Sequence, residues 1–248
     1  MDFIQITDLH LDDPAASCQA TNHANLIVAC LASMADHTSD AEFCVITGDL
    51  TNHGDIAAYS WLKTALNTLP MPVVLILGNH DDRPAFLSVF AGQGHDDGGF
   101  VQRSMAVRGV RFLFLDTHCP DSDAGVLCPQ RLNWLDRQLA DAGDVPVTLF
   151  MHHPPCDIGD PKLDAIKLTN AEAFSAVLQR HGTVRHIVFG HVHRTMFVNW
   201  RGIACTSLSN IAATRRAATC PVAFGSCVAK RLRITYHDLP VNVPDVSA

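Results

Sequence analysis

The sequence predicts an α/β protein with a central sheet system and a terminal group of antiparallel strands. Short apolar runs alternate with helix-period stripes as far as Phe189. Beyond residue 195 the alternation gives way to paired runs joined by short turns. Histidines and carboxylates gather just after the apolar runs, at strand ends, where open α/β sheets collect ligands.

Phe3–Ile6, Phe43–Thr47, Val73–Leu77, Val110–Leu115, Val147–Met151 and Ile187–Phe189 are predominantly apolar, the pattern of buried strands. Between them, Leu26, Ile27, Cys30, Leu31 and Met34 form one helical stripe, and Ile56, Tyr59, Leu62 and Leu66 a second. Leu132, Leu135 and Leu139 form a third behind Pro129, and Phe174, Val177 and Leu178 a fourth. Thr195–Asn199 and Ile203–Thr206 flank an Arg-Gly turn, and Phe224–Val228 with Leu232–Tyr236 predict another hairpin. Leu208 to Pro221 has no clear period and reads as a loop or partner-facing element.

With 48% hydrophobic and 17% charged residues in 248, the chain has enough apolar material for a sizeable core. A formal net charge of −7 argues against a broad grip on a nucleic-acid polymer, and none is expected as a partner. Nine cysteines, an odd number without a CxxC pair, read as reduced thiols rather than a disulfide framework or a thiolate metal site. The start, MDFIQITDLH, has no signal-peptide pattern, and no run reaches the roughly 20 apolar residues of a membrane span. A cytoplasmic protein without a membrane partner is expected.

Five segments carry the chemistry: Asp8-Leu9-His10, Gly48-Asp49-Leu50-Thr51-Asn52, Gly78-Asn79-His80-Asp81, His152-His153-Pro154-Pro155 and Gly190-His191-Val192-His193. Two residues apart in extended chain, Asp8 and His10 point the same way and can chelate one ion. Gly-Asp alone is an ordinary turn pair, but a His between Asn79 and Asp81 is not something turn chemistry requires. His191 and His193 offer two imidazoles beside a glycine that permits close backbone approach.

In this order the segments resemble the calcineurin-like metallophosphoesterase superfamily, in its class III cyclic-nucleotide phosphodiesterase and bacterial glycerophosphodiesterase branch. The likeness extends to Leu115-Asp116-Thr117, Gly125-Val126-Leu127, Gln130, Trp134-Leu135, and Phe150–Pro155 with Gly159 and Leu163-Asp164. It implies a four-layer αββα sandwich with a C-terminal antiparallel hairpin region. Residues 1–194 would form the catalytic core; 195–248 would complete the second sheet and supply a cap or dimerisation loop. It further implies two divalent or transition metal ions (Mn, Fe, Zn or Co). Asp8, His10 and His193 would hold one, Asn79, His152 and His191 the other, and Asp49 would bridge them. The implied activity is hydrolysis of small phosphodiesters, cyclic nucleotides such as cAMP or glycerophosphodiesters, by metal-activated hydroxide, in a homodimer or higher homo-oligomer.

His80 is the expected proton donor to the leaving group, with Asn79, His80 and Arg83 at the substrate. Relatives that bind phosphate dianions carry an Arg soon after the Gly-Asp pair; here the stretch is Asn52-His53-Gly54, which favours diesters. Alternatives are a broad-specificity phosphomonoesterase, a nuclease, or a catalytically silent metal-binding interaction module. His23, His37, His95, His181, His186 and His237 read as surface or capping residues, His53, His118 and His153 stay open, and Asp81 reads as a cap for a helix starting near Pro84.

Overall fold

The computed structural model describes residues 2–38, 40–94, 96–211, 219–228 and 231–241. Phe3–Ile6 (β1), Phe43–Thr47 (β2) and Val73–Ile76 (β3) are parallel neighbours. Thr219–Val228 (β10) and Arg231–Pro240 (β11) extend them into a sheet of order β11-β10-β1-β2-β3. The second sheet has the order β4-β5-β6-β7-β9-β8, from Arg103–Val107 (β4), Val110–Phe114 (β5), Val147–Met151 (β6), Val184–Phe189 (β7), Met196–Trp200 (β8) and Ile203–Ser207 (β9).

Period-2 alternation sorts each buried strand between two cores. Phe3, Phe43 and Val45 meet Phe112, Phe114, Phe150 and Val188 in the layer between the sheets. The Phe114 and Phe150 rings stack at 5.0 Å, and Phe3 meets Phe150 edge-on at 5.0 Å. Ile4, Cys44 and Ile46 turn the other way, towards Cys18–His37 (α1) and Ile56–Leu66 (α2). Leu113, Leu149 and Ile187 turn towards Pro129–Ala142 (α4) and Ala171–His181 (α6). The result is the expected four-layer αββα sandwich.

Local chemistry sets the helix starts. Ser17 Oγ accepts from Ala20 N at 3.0 Å at the head of α1. Asp82, with Pro84 in the first turn, caps Arg83–Val89 (α3). Asp81, expected in that role, is buried instead. A short helix, Pro161–Asp164 (α5), precedes α6.

Two features depart from expectation. The C-terminal hairpins do not both complete the second sheet: β8 and β9 extend it, while β10 pairs antiparallel with β1 in the first. Gly225 opposite Phe3 permits that pairing, because a Cβ there would lie 2.1 Å from the Phe3 ring. Strand β4 was not anticipated, since its side chains are largely half-buried and give no apolar run. The expected Leu208–Pro221 loop ends in β10, and its Arg215 and Arg216 lie outside the described residues.

Candidate metal centre

The parallel strands β1, β2 and β3 of one sheet and β6 and β7 of the other all point their C-terminal ends at one edge, and the five segments emerge there. The first two travel side by side past their strands. Asp8 N donates to Gly48 O at 3.1 Å, His10 N to Asp49 O at 2.9 Å and Leu11 N to Leu50 O at 3.2 Å.

Asp8, His10, Asp49, His191 and His193 all have positive φ, between 48° and 69°. Among the described residues, the other non-glycines of this kind are Arg108 and Arg201, in hairpin turns. Strain of roughly 1–3 kcal/mol per residue, concentrated on one cluster, belongs to a functional site. Gly78 is required by proximity: a Cβ would stand 2.1 Å from Asp49 Oδ1.

Asp8, His10, Asp49 and His193 place one ligand atom each within 4.8 Å of one another. His152, His153 and His191 form a second such group. His153 is occupied elsewhere, its Nδ1 2.7 Å from Thr117 Oγ1 and its Nε2 3.1 Å from the Asp123 carbonyl. Asn79 takes its place, with Oδ1 3.2 Å from His152 Nε2 and 3.0 Å from His191 Nδ1. Asp49 lies between the groups, Oδ2 3.6 Å from His10 Nε2 and Oδ1 3.4 Å from His152 Nε2.

Hydrogen bonds aim the rings inward. His152 Nδ1 donates to Thr47 O at 2.8 Å, leaving Nε2 towards Asp49. His10 Nδ1 donates to Asn52 Oδ1 at 3.1 Å, leaving its Nε2 2.9 Å from His193 Nε2. Gln5, Thr47 and Thr7 hand a buried chain of hydrogen bonds to Asp8 Oδ2, and the Asp8 carboxylate also accepts from His191 N.

The residues fit metal ions. Carboxylate oxygens and imidazole lone pairs converge with few protons among them, an arrangement that a cation satisfies. All donors are N or O, which suits Mn, Fe, Zn or Co. Without a cation, burial opposes charge on His152, but Asp49 and Asp8 prevail and push it up to about 9. Asp49 is held far below the carboxylate range, its burial outweighed by His152 and His10. Burial, aided by His152, pushes His191 down to about 3.

His80 sits at the exposed mouth, its ring centroid 4.8 Å from that of His10. Its main-chain N donates to Asp49 Oδ1 at 3.0 Å. Arg83, expected at the phosphate, is engaged elsewhere: Nε and Nη2 grip Asp116 at 2.7 and 2.9 Å, and Nη2 also donates to His118 O.

Several contributors carry no spacing signature in the sequence. Asp81 accepts from Gly78 N, Leu50 N, Thr51 N and Tyr59 Oη, tying two of the five segments together. Burial, with Asp49 nearby, pushes its carboxyl up to about 6. His23, expected at the surface, is buried and donates to Leu9 O at 2.6 Å, behind the Asp8–His10 turn. His186 is buried too, against Thr206, and His95 lies outside the described residues. Side chains that anchor main chain leave no spacing pattern, although a helical His facing apolar neighbours is a usable sign.

A two-sheet sandwich with clustered imidazoles and carboxylates at its strand ends defines a metal-dependent class of protein. Residues 1–195 match the calcineurin-like phosphoesterase family, and the chain belongs to that family. It is 35% identical over 206 residues to a probable cyclic nucleotide phosphodiesterase of Rhodopseudomonas palustris, covering 82% of this chain and 75% of that protein. It is 30% identical over 200 residues to a 3′,5′-cyclic adenosine monophosphate phosphodiesterase of Escherichia coli K12, covering 80% and 72%. A glycerophosphodiester phosphodiesterase of Enterobacter lignolyticus is 32% identical over 167 residues, or 66% of this chain and 60% of its own. In structure the fold is similar to a dimetal phosphatase from Danio rerio, at TM-score 0.74 and 18% identity over 97% of this chain and 98% of that one.

Proposed function

We propose that this protein hydrolyses small phosphodiesters, cyclic nucleotides such as cAMP or glycerophosphodiesters, at a centre of two divalent metal ions. The observation that carries the proposal is Asp49, whose two carboxylate oxygens face the two clusters separately. Asp8, His10 and His193 would hold one ion and Asn79, His152 and His191 the other. Two such ions would supply Lewis acidity there, lowering the pKa of water towards neutrality and drawing electrons from the phosphoryl group.

The chain supplies the rest. His152, His191 and the ring of Asp8 contacts hold the donor set rigid from the strand ends. With Nδ1 committed to the main chain, a protonated His80 presents Nε2–H to the leaving oxygen, and an alkoxide leaving group needs that proton. Asn79 and His80 are the proposed substrate contacts. Arg83 is left out because Asp116 and His118 hold it. Arg194, beside His193, donates to Ile158 O. With those cations engaged, a monoanionic diester suits the mouth better than a dianion.

Buried free thiols at Cys30, Cys44, Cys205 and Cys220 support a reducing, cytoplasmic setting. Phe197, 67% exposed on outer strand β8, supports a homo-oligomer built on the C-terminal hairpins. The function is tested by kcat/KM of the metal-reconstituted chain on cAMP, glycerophosphodiesters and matched aryl diester and monoester substrates. Diester preference is expected; monoester preference would refute the reading.

A further inference from the structure

Past their ligand residues, the first two metal segments stay paired. Asn52 N donates to Leu11 O at 3.1 Å, and Leu11 and Thr51 form a parallel bridge. This brings Asn52, three residues after Asp49, beside Asp12, two residues after His10. The Asn52 side chain then has only one satisfactory orientation. Its Nδ2 donates to Asp12 Oδ1 at 2.9 Å, so its Oδ1 is the atom that accepts from His10 Nδ1 at 3.1 Å. Asp12 also faces His53 Nε2 at 3.9 Å, near the surface.

An amide whose orientation is set by a carboxylate imposes a tautomer. The proton is drawn to His10 Nδ1, and Nε2 keeps its lone pair towards Asp49 and His193. The same residue reaches a second imidazole through its main chain, where Asn52 O accepts from His80 Nδ1 at 3.0 Å. Two histidines at one mouth, with ring centroids 4.8 Å apart, therefore take their orientation from one asparagine.

We propose that Asn52, oriented by Asp12, is a positioning residue that fixes the His10 tautomer and thereby sets the affinity of the metal position formed by Asp8, His10 and His193. The inference rests on the two-metal reading above. His152 takes its tautomer from Thr47 O, a main-chain atom, so the other position does not depend on Asn52. The role is consequently selective for one position, which a general effect on folding would not be.

The test is calorimetric titration of Mn(II) into the metal-stripped chain, with His193→Ala and His152→Ala identifying the two binding steps. Asn52→Leu keeps the size but removes the acceptor. It is expected to weaken the step that His193→Ala abolishes by roughly 10–100-fold and to leave the other step unchanged. Asp12→Ala, which frees the amide without touching His10, is expected to weaken the same step by less. Thermal unfolding of each stripped variant checks that it folds; if Asn52→Leu fails that check, Asp12→Ala decides alone. A wild-type chain that takes up one ion sinks the two-metal reading. Variants that match the wild type in every step, or lose both steps equally while folded, overturn the role given to Asn52.

Discussion

The imidazole of His80 is held by the main-chain oxygen of Asn52, 3.0 Å from Nδ1, while the His80 main-chain N donates to Asp49 Oδ1 at the same distance. The residue is thus tied to Asp49 of the proposed metal centre through its backbone, and its ring is kept out of the proposed donor set. Nε2 is left as the atom available to a bound molecule.

Proton donation from that atom has a specific signature. In His80→Ala, metal content is expected to stay at the wild-type level, and turnover of an alkyl diester to fall roughly 10²–10⁴-fold. A p-nitrophenyl diester, whose leaving group departs without a proton, is expected to lose much less. Equal losses on both substrates would assign His80 to phosphate binding, and no loss would remove it from the site.

Metal uptake is expected to release a proton from His152. In the metal-free chain the ring is pushed up to about 9, so it is protonated at pH 7, and a ligand nitrogen must give up that proton. Affinity should accordingly rise with pH between about 7 and 9. Calorimetry of Mn(II) binding in buffers of different ionisation enthalpy counts the protons; heats that do not vary with buffer would contradict the assignment.

Stability on the acid side is expected to depend on His186, which is 7% exposed in β7. Burial pushes its pKa down to about 4, below the ordinary 6.5. Between those values the unfolded chain binds the extra proton and the folded chain does not, so stability falls as pH drops from 6.5 towards 4. The full effect is about 3 kcal/mol. Urea unfolding of His186→Gln should show a shallower loss than wild type over that window; parallel curves would contradict it.

The α/β alternation was legible because buried strands such as Phe43–Thr47 form apolar runs and helices such as the Leu26–Met34 run carry clear stripes, whereas the four-layer sandwich followed only from the resemblance of the five segments to a known family. The allocation of β10 to the first sheet was not legible in the sequence, since period-2 alternation is blind to which edge a strand joins; Gly225 opposite Phe3 permits that pairing without announcing it. Candidate ligands stood out because each follows a buried strand. Asp81 did not, because its neighbours suggested a helix cap, whereas its partners Leu50, Thr51 and Gly78 are main-chain donors brought near by folding. Arg83 illustrates the reverse error: proximity in sequence to Asn79 suggested a phosphate contact, and Asp116, 33 residues on, claims it.

The central claim is that Asp49 serves two metal ions, and elemental analysis of the purified chain against Asp49→Ala tests it most directly. Two metals per chain are expected in the wild type, with the pair lost from a variant that remains folded by circular dichroism. Two tightly bound metals per chain in Asp49→Ala would contradict the account.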